Sequence, residues 1–235
     1  MLDWLLSPIN ADATHVVESA VAWHGRFMVL AWGILAPLAV VVARYFKVMP
    51  GQDWPRELDN QTWWRGHWIG QTVVLGLSVA ALTLVLPLNL AETGLHGILG
   101  TVVLVALIIQ VLLGLFRGSK GGPTARAPDG SLSGDHYDMT TRRRWFEVLH
   151  KTIGYCVLLL GAITIIYGLV HANGPNWMWV VLVLWWLVLA ATCRVLELRG
   201  MAMNSYQAIW GNDPTHPGNA SPANRDDQMT RVQNH

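Results

Sequence analysis

Four histidines carry the first chemical signal. His24, His67, His96 and His150 each stand near the start of one of the chain's long apolar runs. An ionisable side chain in such surroundings is costly and usually serves a purpose, and neutral imidazole is the commonest metal ligand among side chains. If consecutive runs cross a membrane in opposite directions, the starts of the first and third lie on one side, and those of the second and fourth on the other. His24 then faces His96, and His67 faces His150. Topology alone thus offers two imidazoles at each of two depths.

The elements that must position these side chains are legible in the charge pattern. The chain has 235 residues, 52% of them hydrophobic and 13% charged, where soluble domains carry about 25% charged residues. Residues 27–43, 66–91, 93–116 and 152–193 contain no Asp, Glu, Lys or Arg. The last run is broken by His171-Ala172-Asn173-Gly174-Pro175-Asn176 and is long enough for two crossings of about 20 residues each. Backbone groups in hydrocarbon must be paired within the segment, so these runs read as helices. The expected fold is an all-α integral membrane protein with five transmembrane helices near 21–46, 64–90, 95–117, 144–170 and 176–198, the first four forming a bundle around the histidines. Residues 1–20 form an N-terminal segment, 21–198 the membrane domain and 199–235 a flexible tail. The loop 118–140 shares the tail's Gly, Pro, Asn, Asp and Ser content and reads as flexible too. No sequence repeat is evident.

Lys and Arg set the orientation. Arg26 aside, the other fifteen of the sixteen basic residues fall on one side of such a topology, among them Arg44, Lys47, Arg65, Arg117, Arg142, Arg143, Arg144, Lys151, Arg194 and Arg199. That side is expected to be cytoplasmic, with the N-terminus outside and the C-terminus inside, in a bacterial cytoplasmic (inner) membrane. Trp23, Trp177 and Trp179 match an outer aromatic belt, and Trp63, Trp64 and Trp145 an inner one. Residues 1–10 lack a basic leader, so the first span is expected to insert directly. A formal net charge of +1, with no basic run beyond three residues, argues against nucleic-acid binding. Two cysteines cannot build a disulfide framework.

The stripes running from the histidines favour a planar guest. On the third span they give His96, Gly100, Val103, Leu107, Gln110 and Gly114. On the fourth they give His150, Gly154, Val157, Gly161, Thr164 and Gly168; on the second, His67, Gln71, Val74, Ser78 and Ala81. Glycine in a helix interior costs about 1 kcal/mol relative to alanine, so three on one stripe imply close approach to the backbone. Haem would need that clearance, although small residues also let membrane helices pack directly on one another. A bare soft or divalent ion would recruit Cys, Asp or Glu. The uncharged spans hold no carboxylate, and Cys156 and Cys193 lie on different helices. Two imidazoles on one iron, at two levels, fit b-type haem. His15, His171, His136, His216 and His235 read as solvated surface residues, and the two cysteines as small apolar ones.

With these residues in place, the chain resembles the cytochrome b561 family, in particular the core found alone or fused to DOMON domains in ferric-reductase-like proteins. The first span reads His24-Gly25-x-x-Met28-x-x-x-Trp32-Gly33-x-Leu35-x-Pro37 and closes with Ala43-Arg44-Tyr45-x-Lys47. The second has His67-x-x-x-Gln71. The third has His96-Gly97-x-x-Gly100 and Gln110-x-x-x-Gly114-x-x-Arg117, and the fourth Phe146-x-x-x-His150-Lys151-x-x-Gly154. The resemblance covers about residues 20–175. Glu147, Gly118 and the long connection 49–62 depart from the family pattern, which bears on a cytoplasmic substrate site rather than on the histidines.

The resemblance implies two haem b groups, His24 and His96 holding the iron of the outer one and His67 and His150 that of the cytoplasmic one. It also implies transmembrane electron transfer from a small donor such as ascorbate to an acceptor such as a ferric chelate; a quinol-like donor is the alternative. Arg26 is expected to meet a haem propionate, and Lys151 a propionate or an anionic reductant, since those anions need cationic partners; interfacial anchoring is the plainer role for Arg26. Expected partners are membrane lipid, the small redox donor and acceptor, a protein redox partner and a second copy in a homodimer. Two other functions stay open: a haem-containing membrane anchor for a separate redox protein, and a haem-free metal transporter. The fifth span, with Trp185-Trp186, offers no ligand and is expected to cover the bundle or form a dimer contact.

Overall fold

A computed structural model describes residues 2–11, 17–58, 60–88, 94–117 and 141–212. Its regular secondary structure is helical throughout these residues. The loop 118–140, the acidic residues Asp12 and Glu92, and His15, His136, His216 and His235 lie outside the described residues.

Five helices are long and apolar enough to cross a membrane: Ser19–Tyr45, Thr62–Leu88, Gly94–Leu115, Arg142–His171 and Asn176–Leu198, with mean hydropathy between 2.1 and 2.8 over their most apolar stretches. They are called the first to fifth spans below. Their bounds lie within a few residues of those expected from the uncharged runs, because the same demand for internal backbone pairing sets both. Each span keeps an outward apolar surface: Val102, Val105, Ile108 and Leu112 on the third, and Val183, Leu187 and Val188 on the fifth, are all exposed. So continuous an apolar surface fits lipid as the surrounding medium.

The first span packs along the second, and the third along the fourth. Gly66 and Gly70 allow the first approach. A Cβ on Gly70 would lie 2.9 Å from that of Ala39, and one on Gly66 would lie 3.3 Å from Val42, the close contact that small residues spaced by four permit. Ala31, Val74, Val103, Leu107, Val157 and Leu182 form a shared buried cluster to which all five spans contribute.

The first span is not a regular α-helix. Val29–Leu35 winds as a π-helical turn between two α-helical stretches. Pro37 has no N–H to give the carbonyl of Gly33, four residues earlier. Trp185 Nε1 of the fifth span donates to that carbonyl at 2.7 Å. The fifth span is thus tied to the first where the first is irregular. A second tie lies at the Arg-rich end, where Glu197 accepts from Arg44 and, at 3.1 Å, from the Tyr45 hydroxyl. The fifth span therefore covers the bundle.

Two terminal segments close the ends. Residues 2–11 begin with a short helix, Leu2–Leu6, and pair with the loop between the fourth and fifth spans through Ile9 N to Gly174 O and Asn176 N to Ser7 O. At the Arg-rich end, the start of the segment expected to be a flexible tail instead folds back. Its helix Ser205–Trp210 buries Ser205, Gln207, Ala208 and Ile209, and Gly211 lies against Pro55 and Leu58. Lys47 anchors this cover by donating from Nζ to Met203 O at 2.7 Å. Burial, with Lys151 and Arg44 nearby, pushes the Lys47 amine down to about 8.

Candidate functional site: two histidine pairs

The structure brings the four histidines together in the two expected pairs. The rings of His24 and His96 have centroids 6.2 Å apart and planes at 83°, and those of His67 and His150 lie 6.1 Å apart at 80°. Two imidazoles on opposite sides of one metal, with metal–nitrogen bonds of about 2 Å and ring radii of about 1 Å, place their centroids roughly 6 Å apart. Among the described residues no three His, Cys, Asp or Glu side chains gather as a metal cluster. The donor set is two nitrogens per pair, which leaves the remaining positions on a metal to a group that brings its own ligands. Haem is such a group, and the residues present fit it.

Hydrogen bonds select which nitrogen is left free. His24 Nδ1 lies 3.0 Å from Ala81 O, His67 Nδ1 3.0 Å from Ala39 O, and His96 Nδ1 3.1 Å from Thr164 O. A backbone carbonyl can only accept, so each Nδ1 carries the proton and Nε2 keeps its lone pair. Metal-bound histidines are commonly oriented in this way, the second nitrogen donating to a carbonyl. His150 departs from the pattern, its Nδ1 being buried without a partner. Phe146 stacks on that ring at 4.9 Å.

The two helix pairs share one register. His24 and His96 are 72 residues apart, as are the core residues Ala31 and Val103; His67 and His150 are 83 apart, as are Val74 and Val157. The carbonyls that hold His24 and His96, those of Ala81 and Thr164, repeat the 83-residue step. The first two spans and the next two are therefore laid out alike, with conserved spacing but little shared residue identity.

The glycines of the fourth span lie against protein side chains, the packing role that small residues on a stripe also serve. A Cβ on Gly161 would lie 3.0 Å from Trp32 Cε3, one on Gly168 2.8 Å from His96 Cε1, and one on Gly154 3.7 Å from Gln110 Nε2. Trp32 is buried and donates from Nε1 to Ser78 Oγ at 3.1 Å. It crosses the bundle between the two histidine levels. On the third span, Gly100 and Gly114 have no atom within 4 Å of a built Cβ, so the open space lies there.

The two predicted cations sit beside their histidines without touching them. Arg26 lies over the Trp23 ring at 4.8 Å. Lys151 pairs with Glu147 at 3.3 Å, and Glu147 also faces Arg143 at 3.7 Å. Sequence reasoning missed the carbonyl acceptors and the bond from Trp185, which join residues far apart in the chain. Pro37 was the visible signal for the latter, since it strips Gly33 of its usual donor.

No protein-family model matches the chain, and no solved structure matches it. A cytochrome b561 and DOMON domain-containing protein of Arabidopsis thaliana is 24% identical over 150 residues, which are 62% of this chain and 31% of that protein. The chain thus matches about a third of the length of this curated relative, a distant likeness to a cytochrome b561-type protein.

Proposed function

We propose that the chain is a cytochrome b561-like protein that carries electrons across a membrane through two bis-histidine haems b. When bound, haem b supplies a one-electron Fe(III)/Fe(II) couple. His24 and His96 hold one group, and His67 and His150 the other, through Nε2. The observation that carries this reading is the joint geometry of the pairs: rings about one metal's width apart, with three of four Nδ1 atoms tied to carbonyls of neighbouring spans.

The chain's own residues set what such a site can do. Two imidazoles given to each iron would leave no position for O₂ or substrate, which favours electron transfer over oxygen activation. The first span provides the separation between levels. From His24 to Ala39, the residue that anchors His67, are 15 residues, or about 22 Å at 1.5 Å per residue. Trp32 fills the interval and keeps it dry. Arg26 and Lys151 stand at the two ends as cationic partners for propionates. The donor is a small reductant, ascorbate- or quinol-like, and the acceptor an oxidant such as a ferric chelate on the opposite face. The Arg-rich end is cytoplasmic.

Reduced-minus-oxidised spectroscopy with haem quantification tests this reading. Purified protein is expected to show a b-type α-band and two haems per chain. Alanine at any of the four histidines is expected to cost at least one haem, while His171→Ala costs none. A protein expressed with haem available that shows no α-band would refute it.

A further inference from the structure

Repeating the register of the first two spans onto the next two isolates one residue. His67 Nδ1 is held by Ala39 O; the same 72-residue step from Ala39 leads to Val111, whose carbonyl would be the corresponding acceptor for His150. No such bond forms, and His150 Nδ1 is buried without a partner. Gln110, the neighbour of Val111, reaches across instead and donates from Nε2 to the backbone carbonyl of His150 at 3.1 Å. Its own Oε1 is also buried without a partner. Two orphaned atoms, one needing a donor and the other carrying an N–H, therefore belong to residues already in contact. A buried polar atom left unpaired is costly, which favours an arrangement that pairs the two.

The amide lies beside a glycine of the fourth span. A Cβ on Gly154 would lie 3.7 Å from Gln110 Nε2, and the 83-residue step equates Gly154 with Gln71 of the second span. Gln71 turns back to the first span and donates to Ala36 O at 3.4 Å. In the second pair the glutamine has changed helices, and glycine stands where its counterpart was. The terminal torsion of glutamine is broad, which leaves the amide free to turn Oε1 towards the imidazole.

We propose that Gln110 is the positioning residue for His150, its Oε1 accepting the Nδ1–H that the other three histidines give to backbone carbonyls. This rests on the reading of His150 as a haem ligand. The fourth ligand is then held by a side chain, which makes its basicity adjustable by substitution where that of the other three is set by the backbone. A stronger acceptor on Nδ1–H makes Nε2 a better donor and favours the ferric state; removing the acceptor does the reverse.

Redox titration of Gln110→Leu and Gln110→Glu against the unaltered protein tests the proposal, with haem content measured in parallel. The expected result is that Leu raises and Glu lowers the midpoint potential of the haem held by His67 and His150, while the other haem keeps its potential. Shifts of the same sign, no shift, or equal shifts in both haems would overturn it, since a packing role moves both variants alike. Should Leu lose the haem, Gln110→Asn and Gln110→Glu carry the test: rebinding with Glu and not with Asn agrees with an acceptor at that reach, and loss in both overturns the proposal. Absence of haem from the unaltered protein would instead refute the proposed function itself.

Discussion

At the residue scale, the histidines work through what holds them. An imidazole free to rotate would pay for every ligation in lost entropy; here three of the four rings are fixed by carbonyls of an adjacent helix. His96 has a further constraint, because it lies against the bare backbone of Gly168. Alanine normally favours a helix interior over glycine by about 1 kcal/mol, so Gly168→Ala should stiffen the fourth span while pushing His96 out of place. The expected outcome is a fall from two haems per chain towards one, measured by haem-to-protein ratio. Gly76→Ala, at a position where nothing lies within 4 Å, should retain both. The four histidines and their pairing were legible in the sequence because helix direction alternates. The roles of Gly161 and Gly168 were not, since a glycine stripe reads the same whether haem or a tryptophan fills it.

At the scale of elements, the first span decides how the fifth is used. Its apolar run predicted one helix, and the π-helical turn at Val29–Leu35 appears only where Pro37 interrupts the backbone ladder. The bond that answers it joins residues 152 apart, a separation no local pattern records. Trp185→Phe keeps most of the ring and removes the N–H, leaving the Gly33 carbonyl short of a donor at a cost of about 1 kcal/mol or more. Thermal unfolding in detergent, followed by circular dichroism, should show a lowered Tm for this variant. Trp179→Phe should show little loss, because Trp179 Nε1 is buried without a partner. The span boundaries were readable to within a few residues because charge is excluded from them. The folding back of residues 201–212 was not, since polar, glycine-containing sequence looks alike in a loose tail and in a cover held by Lys47.

At the scale of the whole molecule, two similar helix pairs place two similar sites at opposite ends of one bundle, with Trp32 between the levels and the fifth span closed over the side. That layout makes sense for a conduit: each pair lies near one face, and the low-charge interior separates them. Movement of one charge through a potential of 100 mV is worth about 2.3 kcal/mol, so in the proposed conduit the direction of flow would follow the partners' potentials and the membrane field together. The measurement that tests this most directly uses haem-loaded protein in sealed vesicles, with ferricyanide enclosed and ascorbate supplied outside. Enclosed ferricyanide should be reduced far faster than in protein-free vesicles, and alanine at His67 or at His96 should each abolish the gain. Vesicles holding the two-haem protein that reduce enclosed ferricyanide no faster than empty ones, or that do so equally well without either histidine, would contradict the account.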